Sequence, residues 1–507
     1  MLKILSTSQI KALDEYTIRH EPIASIDLME RACHAFVSWF TLHFDITKRV
    51  GVVCGTGNNG GDGLGIARLL KEWGFQVKVW IIRGSVPESS DFKINLQRLS
   101  EKVEVSEIIT ESDQGLFADH DILIDAIFGS GLSRSPEGIY AQAIRCINRT
   151  NAVRVAVDIP SGLMADKPSD GEIIQAHHTV TFQLPKLSFL LPENGLAVAR
   201  PDDLIGRGEW HVVNIGLNQE FIRKAERNYF LLEKNDIKKI LHERSKFSHK
   251  GNFGHALLIA GSYGKIGAAA LGARAAMRSG LGLLTVHVPT CGYDIIQISV
   301  PEAMASVDTS DTLFSLVPRT ENFSSVGIGP GIGQDKQTIK ALAALLEAVG
   351  KPIVLDADAI NILGSNRELI QLIPKGSILT PHPKEFERLV GSWSTDFERL
   401  EKQLEFSRET NAVVLLKGAH SSITTPEGKI YFNNTGNPGM ATGGSGDVLT
   451  GLVTGLLAQG YTSEESALLG AWIHGLAGDC AAKRLSEEAL MASDIIDYLP
   501  EAFALCR

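Results

Sequence analysis

Cysteine is scarce in this chain. Its 507 residues hold six, at positions 33, 54, 146, 291, 480 and 506, and no two form a C-x-x-C pair. That spacing argues against a zinc site or a disulfide framework and fits a reduced, cytoplasmic setting. Each cysteine reads instead as a small buried hydrophobe. A long apolar run is also missing, so no membrane segment is expected. The opening stretch "MLKILSTSQIKALDEY" turns polar too early for a signal peptide. Positive charge is not in excess, since 49 basic residues face 59 acidic ones for a net charge of −10. That argues against nucleic acid as a partner. It leaves room for small anions held by local amides and a few cations.

What is present is length, hydrophobic residues (44%) and 49 glycines, the composition of a soluble globular protein of two or more domains. "SQIKALDEYTI" places Ile10, Leu13 and Tyr16 on one helical face, with Thr7 and Ser8 as capping candidates. "RVGVVC", "VKVWII", "DILIDAIFG", "RVAVDIPSG", "HTVTF" and "HVVNIG" are short apolar runs, and "LGIARLLKEWG" is a helix closed by Gly74. Such alternation predicts parallel strands with helices on both faces. Near residues 218–235 the chain becomes crowded with charge and reads as a linker. From "HALLIAGS" the alternation resumes through "SSVGIGPG", "PIVLDADAI", "GSILTPHPKE" and "AVVLLKGAHS". The halves do not resemble each other, so we expect a fusion of two α/β domains, residues 1–220 and 230–507. The small-residue helix "GAAALGARAAMRSGLG" and its later counterparts suggest packed interfaces and a homo-oligomer.

Gly55-x-Gly57-x-x-Gly60 has the spacing of a dinucleotide fingerprint, but the next strand leads to Arg83 rather than to the acidic residue that holds a ribose. A purely structural turn does not explain Asn58, Asn59 and Asp62 among the glycines. Ligands of open α/β sheets sit outside the carboxyl ends of strands, where Asp125 and Asp158 are expected. Asn59, Asp125 and Ser161 offer oxygen donors suited to a hard cation, which leaves Asp158 as acid or base. Any one of these carboxylates alone would read as a cap or loop hydrogen bond.

In the second half, Gly443, Gly444 and Gly446 lead to Asp447 and a helix. Amides at such a helix start form an anion hole, and Asp447 is placed to take a proton from a hydroxyl. The plain alternative is a glycine-rich helix entry with an acidic residue favoured by the dipole. Lys417, at a glycine turn with Gly418 and His420, suits a nucleotide phosphate. His382 lies between prolines in a rigid turn and counts only with its neighbours. Asp356 and Asp358 serve either a metal or loop hydrogen bonds.

"CGTGNNGGDG", "DAIFGSGLSR" and "AVDIPSG" resemble the N-terminal domain of the YjeF family, the NAD(P)H-hydrate epimerases. The resemblance implies a Rossmann-like three-layer α/β/α domain. It implies substrate contact at Asn58, Asn59, Gly60, Gly61 and Asp62. It implies the same at Gly129, Ser130, Gly131, Leu132, Ser133, Arg134 and Ser135, and at Asp158, and potassium at Asn59, Asp125 and Ser161. "GMATGGSGDVLTG" and its companions resemble the family's C-terminal ADP-dependent dehydratase, a ribokinase-like α/β domain. This implies nucleotide contact at Lys417, Gly418, Ala419, His420, Ser421 and Gly446. It implies hydrate contact at Ala268, Gly331, His382 and Asp447, with Mg²⁺ assisting. The substrates implied are NADHX and NADPHX, with ADP consumed. The rival reading is a ribokinase-like small-molecule kinase fused to a non-catalytic nucleotide-binding module.

Overall fold

The computed structural model describes residues 1–99, 103–110, 116–194 and 208–507. The chain divides into two compact units. Residues 3–227 with Thr395–Phe397 form the first; Met1–Leu2, Asn228–Ser394 and Glu398–Arg507 form the second.

The first unit is built on a fully parallel sheet. Its strands lie in the order Glu104–Ile108, Gln76–Ile82, Arg49–Cys54, Ile122–Ala126, Val153–Val157, His178–Phe182 and Glu209–Val213. Side chains alternate across a strand, and the core follows that period. Val50, Val52, Cys54, Ile122, Ile124, Val155 and Val157 pack on one face. Val53, Trp80, Leu123 and Ala156 pack on the other. Both faces are therefore covered, which is why these strands are continuous apolar runs; each such side chain stabilises the fold by about 1.5–3 kcal/mol on burial. The order of strands reverses between Arg49–Cys54 and Ile122–Ala126, so a crevice opens at the carboxyl ends of these two.

Two expectations need correction, and one strand was missed. Ser6, not Thr7 or Ser8, caps the first helix, Thr7–His20, and it does so in a capping box with Gln9. The predicted loop Asn58–Asp62 is the first turn of the helix Asn58–Glu72, so its amides stand at a helix N-terminus. The strand Glu104–Ile108 went unread because it is an edge strand whose Glu104, Val105 and Glu107 are all exposed, so it shows neither an apolar run nor a clean alternation.

In the second unit, the strands within residues 228–507 follow a mixed order. It runs Tyr229–Leu231, Ile430–Phe432, Ser422–Thr424, Val413–Leu416, Ile378–Leu379, Ile353–Leu355, Ser325–Ile328, His255–Ile259, Leu283–Val288 and Met304–Val307. Only the hairpin pairings of Ser422–Thr424 are antiparallel. Here the order reverses between Ser325–Ile328 and His255–Ile259. The charged "linker" is largely structured: Gln219–Lys224 and Lys234–Ile240 are helices, and Leu231, Leu232 and Ile237 anchor its latter part in the core.

The small-residue helix Ile266–Arg278 spends its small faces inside the unit, against the helix Ser445–Ala458. A Cβ on Gly451 would collide with the Gly272 backbone, and one on Gly455 with Ser279. Internal packing thus accounts for the pattern from which a homo-oligomer was expected. No helix among the described residues is long and apolar enough to cross a membrane.

Candidate active sites

At the reversal point of the first sheet lies a cavity of about 960 Å³. Its wall includes Asn58, Asn59 and Asp62 from the helix start, all seven residues 129–135, and Asp158. Gly60 and Gly61 do not line it. They are buried behind it, where Gly60 packs so closely on Gly55 that a Cβ would strike the Gly55 carbonyl oxygen. Gly55 in turn packs on the Ile127 carbonyl. The G-x-G-x-x-G spacing thus serves close backbone approach at the strand-to-helix turn. Arg83, which displaced the ribose-binding acid of the fingerprint, is engaged by Glu88 and by Glu107 at 2.9 Å.

Asp125 and Ser161 are not part of the cavity wall and are completely buried. The Ser161 amide donates to Asp125 Oδ2 at 2.7 Å, and the Ser161 hydroxyl donates to Oδ1 at 2.5 Å. Ser161 Oγ also accepts from the Phe128 amide at 2.8 Å. Burial pushes the Asp125 carboxyl up to about 6, against these hydrogen bonds, and no cation of the described residues is among the groups acting on it. Asn59 is buried, with no partner for its side-chain nitrogen among the described residues. Its amide rests against the loop at Gly129. A buried carboxylate without a counter-charge, a serine hydroxyl and an underused amide are a donor set that fits a monovalent cation.

Asp158 follows the strand Val153–Val157 and adopts a left-handed backbone, φ 65°. Its Oδ1 accepts from Lys186 Nζ at 2.7 Å, from the Thr181 hydroxyl at 3.1 Å and from the Phe182 amide at 3.1 Å. Lys186 also donates to Thr181 Oγ1 and to the Leu184 carbonyl, so all three of its N–H groups are engaged. Asp14, on the first helix, shares the cavity. Burial first, and the nearby Asp158 second, push its carboxyl up to about 7. Burial and the same carboxylates push Asp62 well above the usual range. Sequence reasoning missed Lys186 and Asp14. The signal for Lys186 was a single cation inside the apolar stretch "QLPKLSFLLP".

The second site gathers at the carboxyl ends of the second sheet. Gly444, at φ 92°, turns the chain into the helix Ser445–Ala458 and places Gly446 and Asp447 in its first turn. Burial and the carboxylates Asp356 and Asp358 push Asp447 up to about 6, with Lys417 opposing. Lys417 Nζ lies 2.9 Å from Asp356 Oδ1, and Thr450 Oγ1 donates to Oδ2 of the same carboxylate at 2.5 Å. A Cβ on Gly446 would lie 3.3 Å from that ammonium, so Gly446 and Lys417 are immediate neighbours. Gly418, Ala419, His420 and Ser421 form the turn that follows Val413–Leu416.

Gly331, at φ 66°, sits against Ala268. Asp358 ties in the same turn by accepting from the Gly333 amide at 2.9 Å. His382 is the N-cap of the helix Pro383–Val390, its Nδ1 accepting from the amides of Lys384 and Glu385. Asp356 is the N-cap of Ala357–Ser365. Both are structural caps that also face the Lys417 neighbourhood, since Lys417 acts electrostatically on His382.

The family profile described as YjeF-related protein N-terminus matches residues 25–188, and that described as NAD(P)H-hydrate dehydratase matches residues 256–501. A solved Bacillus subtilis ADP/ATP-dependent NAD(P)H-hydrate dehydratase, co-crystallised with ATP/Mg²⁺, is 30% identical with a TM-score of 0.48. The match covers 56% of this chain and 100% of that one. The bifunctional NAD(P)H-hydrate repair enzyme of Escherichia coli is 32% identical across 88% of this chain and 84% of its own. That of Moorella thermoacetica is 38% identical across 98% of this chain and 96% of its own. With likeness along essentially its whole length, the chain belongs to the family of bifunctional NAD(P)H-hydrate repair enzymes.

Proposed function

We propose that the first unit interconverts the R and S epimers of hydrated NADH and NADPH, and that the second dehydrates the S epimer at the expense of ADP. The observation that carries the reading is the first cavity. One space large enough for a nicotinamide nucleotide is lined by residues 58, 59, 62, 129–135 and 158, with proton-carrying groups at its wall.

In the epimerase site, Asp158 is fixed by Lys186, Thr181 and the Phe182 amide, so its second oxygen serves the reacting ring. Asp14, poised near neutrality, supplies or accepts a proton at the substrate hydroxyl. The amides at the start of Asn58–Glu72 and the 129–135 loop hold the phosphates. Asn59, Asp125 and Ser161 would hold K⁺, which would supply the counter-charge to the buried Asp125, while Ser161 Oγ holds the Phe128 amide.

In the dehydratase site, Asp447 removes the proton of the ring hydroxyl as that oxygen attacks the terminal phosphorus of ADP. The bond between that phosphorus and its bridging oxygen breaks, and AMP leaves. Phosphate then departs from the ring with the C–O electron pair, a neighbouring C–H proton is lost, and the double bond of the reduced cofactor returns. Hydroxide is a poor leaving group and phosphate a good one, which is why a kinase-like site can run a dehydration. The amides of Gly443–Gly446 stabilise the transferring charge. Residues 417–421 and Gly446 bind the nucleotide, while Ala268, Gly331 and His382 position the hydrate. Mg²⁺ held at the phosphates would screen their charge. The protein works in the cytoplasm, where its six free thiols stay reduced.

The test is recovery of reduced-nicotinamide absorbance from mixed epimers with ADP, ATP or neither. Full recovery of both epimers with ADP is expected. Recovery that stops at one epimer's share removes the epimerase, and a stable phosphorylated product would instead make the second unit a kinase.

A further inference from the structure

His178, Glu209 and His211 converge on one face at the edge of the first sheet. His178 opens its strand and pairs in register with Glu209, which opens the edge strand. Glu209 and His211 are two residues apart on that strand and share a face. One ligand atom from each of the three lies within 4.8 Å of the others. His178 Nδ1 is 3.4 Å from His211 Nε2, and His211 Nε2 is 3.8 Å from Glu209 Oε2.

Two imidazole nitrogens turned toward each other at that distance make at best one long hydrogen bond. The same distance matches the edge of a zinc tetrahedron, roughly 3.3 Å for Zn–N bonds of about 2.0–2.1 Å. The neighbouring ring of His43 lies 5.7 Å from that of His211, and Trp39 lies 4.8 Å from it, walling the site from the helix Ser25–His43.

We propose that His178, Glu209 and His211 form a binding site for a divalent transition-metal ion of the zinc class, with three protein ligands and one position open to water. Two imidazoles and a carboxylate suit such ions and not Mg²⁺ or K⁺. The site is separate from the substrate cavity. His178 starts the strand whose far end, Phe182, donates to Asp158. Four residue steps of about 3.3 Å put roughly 13 Å between them. The bound ion joins the edge strand Glu209–Val213 to its inner neighbour through side chains as well as backbone. The cysteine spacing that argued against a zinc site does not bear on one built of histidines.

Full-length protein, stripped with a chelator and free of nucleotide, is titrated with Co²⁺ and then Zn²⁺. We expect one equivalent of Co²⁺ to produce the visible absorption of a low-coordinate N/O site, Zn²⁺ to abolish it, and Zn²⁺ to raise Tm. His178→Asn with His211→Asn, and separately Glu209→Gln, are expected to weaken binding at least tenfold and remove the Tm rise. Both variants should keep the wild-type metal-free circular dichroism and the epimerase and dehydratase rates. Equal Co²⁺ and Zn²⁺ binding by wild type and the double histidine variant would overturn the proposal. So would the absence of any stoichiometric binding by the wild type.

Discussion

The ammonium of Lys186 lies 2.7 Å from Oδ1 of Asp158, and the lysine side chain is 1% exposed. It is the fixed counter-charge of the carboxylate we assign to catalysis. Lys186→Met leaves Asp158 uncompensated in a partly buried site, and breaking such a pair costs about 3–5 kcal/mol. We expect epimerase turnover to fall by about 100-fold, while the S epimer is still dehydrated at the wild-type rate. A pure S-epimer assay beside a mixed-epimer assay separates the two. Equal loss in both would mean that Lys186 supports the whole chain rather than the site.

Asp14 should govern the pH profile of the epimerase. Its carboxyl is pushed up to about 7 by burial and by Asp158. As a proton donor to the departing hydroxyl it must be protonated, so the rate should fall as pH rises through about 7. Asp14→Asn should lower the rate and flatten that limb of the profile. An unchanged inflection in the variant would assign the titration to another group.

Potassium dependence should reside in Asp125. Its carboxylate is completely buried and lacks a cationic partner among the described residues that act on it. Replacing Na⁺ by K⁺ should raise wild-type epimerase activity. Asp125→Asn keeps an acceptor for Ser161 but removes the charge, so its residual rate should not respond to K⁺. A variant that still responds would place the ion elsewhere.

The same residues show what could be read without coordinates. Strands buried on both faces, such as Arg49–Cys54 and Ile353–Leu355, stand out as apolar runs because burial demands it. The cavity wall at Asn58, Asn59, 129–135 and Asp158 was legible because polar groups crowd glycines after strands. Lys186 was not, since a lone lysine ordinarily marks solvent, and only its three acceptors explain its burial. Asp14 carried no signal of its own, since a single aspartate within the helix Thr7–His20 sits in no motif and only the fold brings it to the cavity. The start of the helix at Asn58 was obscured by glycines, each of which costs about 1 kcal/mol in a helix interior. Here close packing offsets that cost, because a Cβ on Gly63 or Gly65 would press on Cys54 or Cys33. The charged segment after residue 218 was read as linker because its few anchoring residues, Leu231, Leu232 and Ile237, are outnumbered by charges.

Asp447 should show a conflict between stability and activity. Its carboxyl is raised from 3.8 to about 6, chiefly by burial and then by Asp356. A raised acid favours the unfolded state once it ionises. Between pH 3.8 and 6 the unfolded chain sheds this proton first, so the folded state loses stability as pH rises, and the cost persists at neutral pH. Two pKa units correspond to about 3 kcal/mol, and solvent reaching the half-open side chain cuts this to about 1 kcal/mol. Asp447→Asn removes the charge and should raise Tm by about 2 °C in thermal unfolding at pH 7. It should also cut dehydratase turnover by about 1,000-fold, because the base is gone. In the wild type, turnover should fall below about pH 6 as the base is protonated. A variant that is both less stable and inactive would point to a structural cap at the helix start, and one that keeps turnover would exclude Asp447 as the base.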